Sequence, residues 1–111
     1  MTVDLKQIEA AYDRARARLA AVGWISAGYV QDRGPGAGGP CYQWTRKKRG
    51  KTLSVALSQA QYEALRQAIG HWRQVQAILE EMQQLSRQMI FGTLPDTRRR
   101  KKLSKKVLGI K

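Results

Sequence analysis

The stretch CYQWTRKKRGKTLSVAL, residues 41–57, decides how this 111-residue chain folds. Apolar and polar side chains alternate on either side of a turn, the period-two signature of paired strands. Tyr42 and Trp44 share one face of the first strand, and Leu53, Val55 and Leu57 share one face of the second. Gly50 supplies the cheap positive φ that a tight turn requires. Around it stand Arg46, Lys47, Lys48, Arg49 and Lys51. Five cations at one tip repel each other, and a polyanion would relieve that repulsion. The hairpin therefore reads as a nucleic-acid probe; the ordinary alternative is a well-solvated turn.

Ser58-Gln59-Ala60-Gln61 fits a capping box directly after the last strand. It opens a long helix predicted over 59–90, with an apolar stripe through Tyr62, Leu65, Ile69, Trp72, Val75, Leu79, Met82 and Met89. Such a helix is about 48 Å long, against a radius of gyration of about 13 Å for a compact domain of this size, so its later half needs a separate apolar partner. The N-terminal segment offers one. Leu5, Ile8, Tyr12, Ala15, Leu19 and Val22 recur at steps of three and four, which predicts a helix over 3–22, capped by Thr2 and with Asp4 in its first turn. The Leu5/Ile8/Tyr12/Leu19 stripe is expected to face Leu79, Met82 and Met89, within one chain or across a homodimer. Residues 24–31 (WISAGYVQ) carry β-prone bulk and read as the first strand. The glycine- and proline-rich run DRGPGAGGP, residues 32–40, reads as an irregular crossover between strands, and it lacks the spacing of a phosphate-binding loop. The expected fold is α+β: N-terminal helix, three-stranded antiparallel β-meander with strands near 24–31, 41–46 and 51–57, and long helix, forming one domain over 1–91. A basic tail over 92–111, flexible unless bound, completes it.

The formal net charge is +13, and its location is more telling than its size. Residues 32–57 hold six basic side chains and one acidic, and residues 92–111 hold eight and one, so these two segments carry twelve of the thirteen net charges. A generic soluble surface mixes the signs more evenly. In the tail the cations are Arg98, Arg99, Arg100, Lys101, Lys102, Lys105 and Lys106, with Lys111 at its end. Runs of this kind bind polyanions, and they also occur as localisation signals or membrane-surface segments.

Catalytic constellations are missing. Glu80 and Glu81 are adjacent on a helix and cannot face one site, and Asp4, Glu9 and Asp13 lie on a helix surface without metal-ligand spacing. One cysteine and one histidine, Cys41 and His71, rule out a zinc site of thiolate type and any internal disulfide. Cys41 is expected to be a buried, inert thiol. Trp72 fits the core stripe, and Tyr42 and Trp44 fit core packing better than base stacking. No cofactor is expected. The polar N-terminal sequence and the lack of any apolar run of about 20 residues lead to the expectation of a cytoplasmic protein without a membrane span.

The run GGPCYQWTRKKRGKTLSVALSQAQYEALRQAIGHWRQVQAILEEMQQLS resembles a family of small uncharacterised bacterial proteins. Those combine a GPYY-type strand, TRK and GKT around a hairpin, and a long capped helix, and they are often encoded near transposases and other mobile elements. The resemblance covers roughly residues 24–90. Many members place cysteines before the Gly-Pro where this chain has DRGPGAGG, so a metal site does not carry over. At the level of fold alone, three antiparallel strands followed by a helix are similar to the DNA-binding modules of integrases and of plant transcription factors that read DNA with a sheet.

These readings converge on a non-enzymatic nucleic-acid-binding accessory protein, expected to act within a mobile-element nucleoprotein complex. Arg46, Lys47, Lys48, Arg49 and Lys51 would contact one stretch of DNA or RNA backbone, and Arg98, Arg99, Arg100, Lys101, Lys102, Lys105 and Lys106 another. The alternative is a helical dimeric adaptor that binds a protein partner, its tail serving solubility or targeting.

Overall fold

The apolar stripes form helices and the alternating run over residues 41–57 forms paired strands, giving an α+β chain. A computed structural model describes residues 4–36, 39–95 and 102–111. The elements in order are α1 (Leu5–Ala20), β1 (Tyr29–Gly36), β2 (Gly39–Lys48), β3 (Lys51–Leu57), α2 (Gln59–Thr93) and α3 (Lys105–Leu108). Two compact units share α2: one comprises Val22–Val75, the other Met1–Ala21 with Gln76–Lys111.

In the first unit the strands form an antiparallel meander in the order β1-β2-β3. Tyr42 lies opposite Leu57, Trp44 opposite Val55 and Arg46 opposite Leu53, so one face collects the apolar residues. The other face is polar, with Thr45 beside Ser54 and their hydroxyls 3.3 Å apart. The start of α2 covers the apolar face at its Tyr42 end, where Tyr62 packs on Tyr42 with ring centroids 4.7 Å apart. The capping box forms: Gln61 N–H donates to Ser58 Oγ at 3.1 Å, and Ser58 N–H donates to Gln61 Oε1 at 2.9 Å. Ala68, Ile69 and Val75 are buried on this part of the helix.

Two expectations need correction here. Residues 24–28 are not strand; β1 begins at Tyr29. Ser26 N–H donates to the Ala68 carbonyl of α2 at 3.2 Å, and Gly28 adopts φ 98, which breaks an extended run. Residues 32–36 and 39–40, expected to be irregular, are strand instead, with Pro35 opposite Pro40 and Gly36 opposite Gly39. The glycines help rather than hinder. The register shifts between Asp32 and Pro35, where Gly34 takes φ 75 and its N–H bonds Asp32 Oδ1 at 2.9 Å. Pro35 lies on an edge strand, and Pro40, although on the middle strand β2, lies beyond the Tyr42–Leu57 pair that ends the β3 ladder, where β2 has a neighbour on one side only.

In the second unit α1 starts at Leu5 because Asp4 caps it, its carboxylate accepting from Gln7 N–H at 3.2 Å; Thr2, the expected cap, lies outside the described residues. Arg18 pairs with Glu81, while Ile8 and Tyr12 line a cavity of about 400 Å³ with Leu85 and Met89. Tyr12 also lines a second cavity with Leu79 and Met82. The order of these contacts makes α1 antiparallel to the later part of α2. Of the expected seam residues, Ile8, Tyr12, Leu79, Met82 and Met89 thus line shared cavities, but Leu5 and Leu79 are 40% and 37% exposed, and Ile78, absent from the predicted stripe, is buried.

Residues 102–111 turn back onto α2. Ser104 caps α3, its Oγ accepting from Val107 N–H at 3.3 Å. Gly109 closes the turn at φ 70, with Ile110 N–H bonding the Lys105 carbonyl at 2.9 Å and Gly109 N–H the Lys106 carbonyl at 3.3 Å, a Schellman arrangement. Arg87 Nη1 donates to the Gly109 carbonyl at 3.1 Å, and Lys111 N–H donates to Gln84 Oε1 at 2.9 Å.

Candidate nucleic-acid interface

The hairpin tip is a two-residue turn. Lys48 and Lys51 pair across the ladder, and Arg49 and Gly50 between them take φ 51 and 77. Positive φ at both positions defines a type I′ turn, whose twist matches that of the flanking strands. Strand alternation then separates the cations. Arg46, Lys48 and Lys51 lie on the face of Trp44 and Leu53, Lys47 lies on the opposite face with Thr45, and Arg49 sits at the apex. Lys47, Lys48, Arg49 and Lys51 are exposed. Among the described residues the ion pairs are Arg16–Asp13 and Arg18–Glu81, neither of them in the hairpin.

Arg46 is held differently. Its guanidinium carbon lies 5.2 Å from the centroid of the Trp44 ring, a cation–π contact. Its Nε is buried without a hydrogen-bond partner among the described residues. Trp44 in turn is fixed by donating Nε1–H to the Ala27 carbonyl at 3.0 Å. Gly28 makes this close approach feasible: a Cβ there would lie 2.6 Å from both the Thr45 carbonyl oxygen and Trp44 Nε1, and 3.4 Å from Arg46 Cβ. Ala27 and Gly28, just before β1, therefore lie against Trp44 and Arg46.

Of the tail cations, Lys102, Lys105 and Lys106 are exposed, while Leu103, Leu108 and Ile110 are half-buried. Arg98, Arg99, Arg100 and Lys101 lie outside the described residues. Hairpin and tail belong to different compact units.

Cys41 is exposed on β2, contrary to the expected burial. Strand alternation turns it away from Tyr42, which takes the covered face. His71 Nδ1–H donates to the Trp24 carbonyl at 2.8 Å, so that ring is engaged in structure. Among the described residues no group of three or more His, Cys, Asp or Glu side chains could hold a metal ion, and no helix is long and apolar enough to cross a membrane. Sequence reading missed Trp24, which is 89% exposed. Its place in WISAGYVQ suggests a half-buried strand, and only the helix tethers at Trp24 and Ser26 reveal otherwise.

Comparison with protein families, with characterised proteins and with solved structures finds no match to this chain.

Proposed function

We propose that this protein binds nucleic acid without catalysing a reaction, gripping phosphates through the basic hairpin and the basic tail. One observation carries the reading: twelve of the thirteen net charges fall in two short segments, and four of the five hairpin cations there are exposed. Phosphate contacts of this kind position a protein on its ligand and supply salt-dependent affinity. The resemblance to proteins encoded beside mobile elements supports a role as an accessory in such a nucleoprotein complex.

A salt titration tests this. If about eight of the twelve clustered cations meet phosphate, log affinity falls against log salt with a slope near −7 on B-DNA and about −6 on single strands. Replacing Arg46, Lys47, Lys48 and Arg49 by Ser should flatten the slope, as should replacing Arg98, Arg99, Arg100, Lys101 and Lys102. Substitution is a cleaner test than deleting the tail, because residues 102–111 also cover part of α2 through Arg87 and Gln84. Undetectable or salt-insensitive binding to DNA and RNA at low salt would overturn the reading. It would promote the second one, a dimeric helical adaptor, which the exposed Ile90, Phe91 and Leu94 at the end of α2 favour.

A further inference from the structure

We propose that Trp24 is a base-stacking residue that directs the protein to unpaired nucleotides, making single-stranded DNA or RNA its favoured ligand. The inference rests on the nucleic-acid reading and narrows it to a ligand class.

Trp24 is 89% exposed, in a residue type that is highly buried on average. Its indole contributes little to the apolar core, and its backbone is nevertheless pinned. His71 Nδ1–H bonds the Trp24 carbonyl at 2.8 Å, and Ser26 N–H bonds the Ala68 carbonyl at 3.2 Å. Gly23 lies flush against the imidazole, since a Cβ there would sit 3.0 Å from His71 Cε1. The indole thus projects from a fixed point rather than from a frayed loop. That lowers the entropy lost when a planar ligand stacks on it.

Cations stand within reach. Four residues beyond Trp24, Gly28 lies against Trp44 and Arg46. Four residues of chain span at most about 14 Å. Trp24 therefore lies within a few nucleotides of the face that carries Arg46, Lys48 and Lys51. A bare aromatic face beside a row of cations is the combination that binds single strands: bases stack whatever their identity, and phosphates meet the charges. In a duplex the base faces are hidden, so the indole adds little there. A protein partner fits less well, because Trp24 and the half-exposed Ile25 make a small apolar patch beside strong positive charge.

The test uses the full chain with Trp24→Ala and Trp24→Phe, titrated by fluorescence anisotropy against a labelled oligothymidylate and a blunt duplex of the same length. Trp24→Ala should weaken single-strand binding by about five- to 150-fold, the range for loss of one stacked base, while duplex affinity is unchanged and Trp24→Phe retains most of the binding. In the wild type, the oligothymidylate should shield the most exposed tryptophan from acrylamide quenching, a readout that needs no variant to fold. Equal losses on both ligands, or none on the single strand, overturn the inference while leaving the broader reading intact. Wild-type protein that binds neither ligand at low salt overturns both. If Trp24→Ala instead abolishes binding to phosphatidylserine vesicles, or turns a dimer into a monomer, with single-strand affinity unchanged, the indole serves a membrane or a second copy and the inference fails.

Discussion

Replacing Arg49 by Asn should make the protein more stable and a weaker binder at once. Arg49 and Gly50 take φ 51 and 77 between the paired Lys48 and Lys51. Left-handed backbone costs an L-residue about 1–2 kcal/mol, and Asn escapes part of that by hydrogen-bonding locally. Asn-Gly is also the preferred pair for this turn. Removing the apical cation eases repulsion among its four neighbours, a smaller gain because each pair is exposed and screened. The expected stabilisation is roughly 0.5–1.5 kcal/mol, read from urea unfolding followed by circular dichroism. On the binding side, one lost phosphate contact should make the salt slope about 0.9 shallower on B-DNA. Most substitutions that weaken binding by damaging a fold lower stability, so a gain in one with a loss in the other isolates the charge. A destabilised Arg49→Asn protein would refute the turn geometry. A stabilised variant with an unchanged slope would show that Arg49 meets no phosphate and that the tip is a solvated turn.

Other outcomes follow from packing. Ile78→Ala should cost about 2–5 kcal/mol and Leu79→Ala roughly 1 kcal/mol, since Ile78 is 9% exposed and Leu79 is 37% exposed; urea midpoints in the reverse order would refute the assigned helix seam. Gly28→Ala should lose about 2–4 kcal/mol through its φ of 98 and the disturbed Trp44–Ala27 hydrogen bond; a change within about 0.5 kcal/mol, as at exposed sites, would deny the close approach. Native Cys41 should react with a thiol reagent nearly as fast as the unfolded chain, and Cys41→Ser should leave stability and binding unchanged; a slow native reaction would show that the thiol is covered.

The sequence exposed most of this fold because its strongest signals are local. Alternation around Trp44 and Val55 located two strands, the Ser58–Gln61 box located the start of α2, and steps of three and four located α1. Its errors were tertiary in origin. Trp24 and Ile25 have the bulk of strand residues, yet hydrogen bonds to His71 and Ala68 of α2 hold that segment out of the sheet. The glycine- and proline-rich run carries no periodic side-chain pattern, so its pairing is invisible until β2 is seen to extend past the end of β3. Ile78 is buried where Leu79 was expected, because a periodic stripe does not specify which flank a partner helix covers. The tail reads as a polyanion-binding or membrane-surface segment with Val107, Leu108 and Ile110 as its apolar residues, but which of them is covered depends on the fold: Leu103, Leu108 and Ile110 are half-buried while Val107 is exposed.

The geometry of the tip bears on how a polyanion would be held. Sequence alone groups five cations against one stretch of backbone, but alternation turns Lys47 away from Arg46, Lys48 and Lys51. One phosphate strand lying along the Arg46 face would leave Lys47 unengaged, and one lying along the Lys47 face would lose three partners. Two arrangements use all of them: insertion of the tip between two backbones, or a single strand that rounds the apex at Arg49. The second suits the ligand class inferred above. Leu53 and Val55 leave the Arg46 face partly open, and Gly28, at the end of the pinned segment that starts with Trp24, lies against Trp44 and Arg46. A strand stacked on Trp24 and reaching that face would meet Lys48 and Lys51 on it. Lys47→Ser should then reduce the affinity for single strands less than Lys48→Ser does, whereas insertion between two backbones makes the two losses equal. Competition titrations of the two variants against one oligothymidylate distinguish these arrangements, and a larger loss from Lys47→Ser would rule out the path past Trp24.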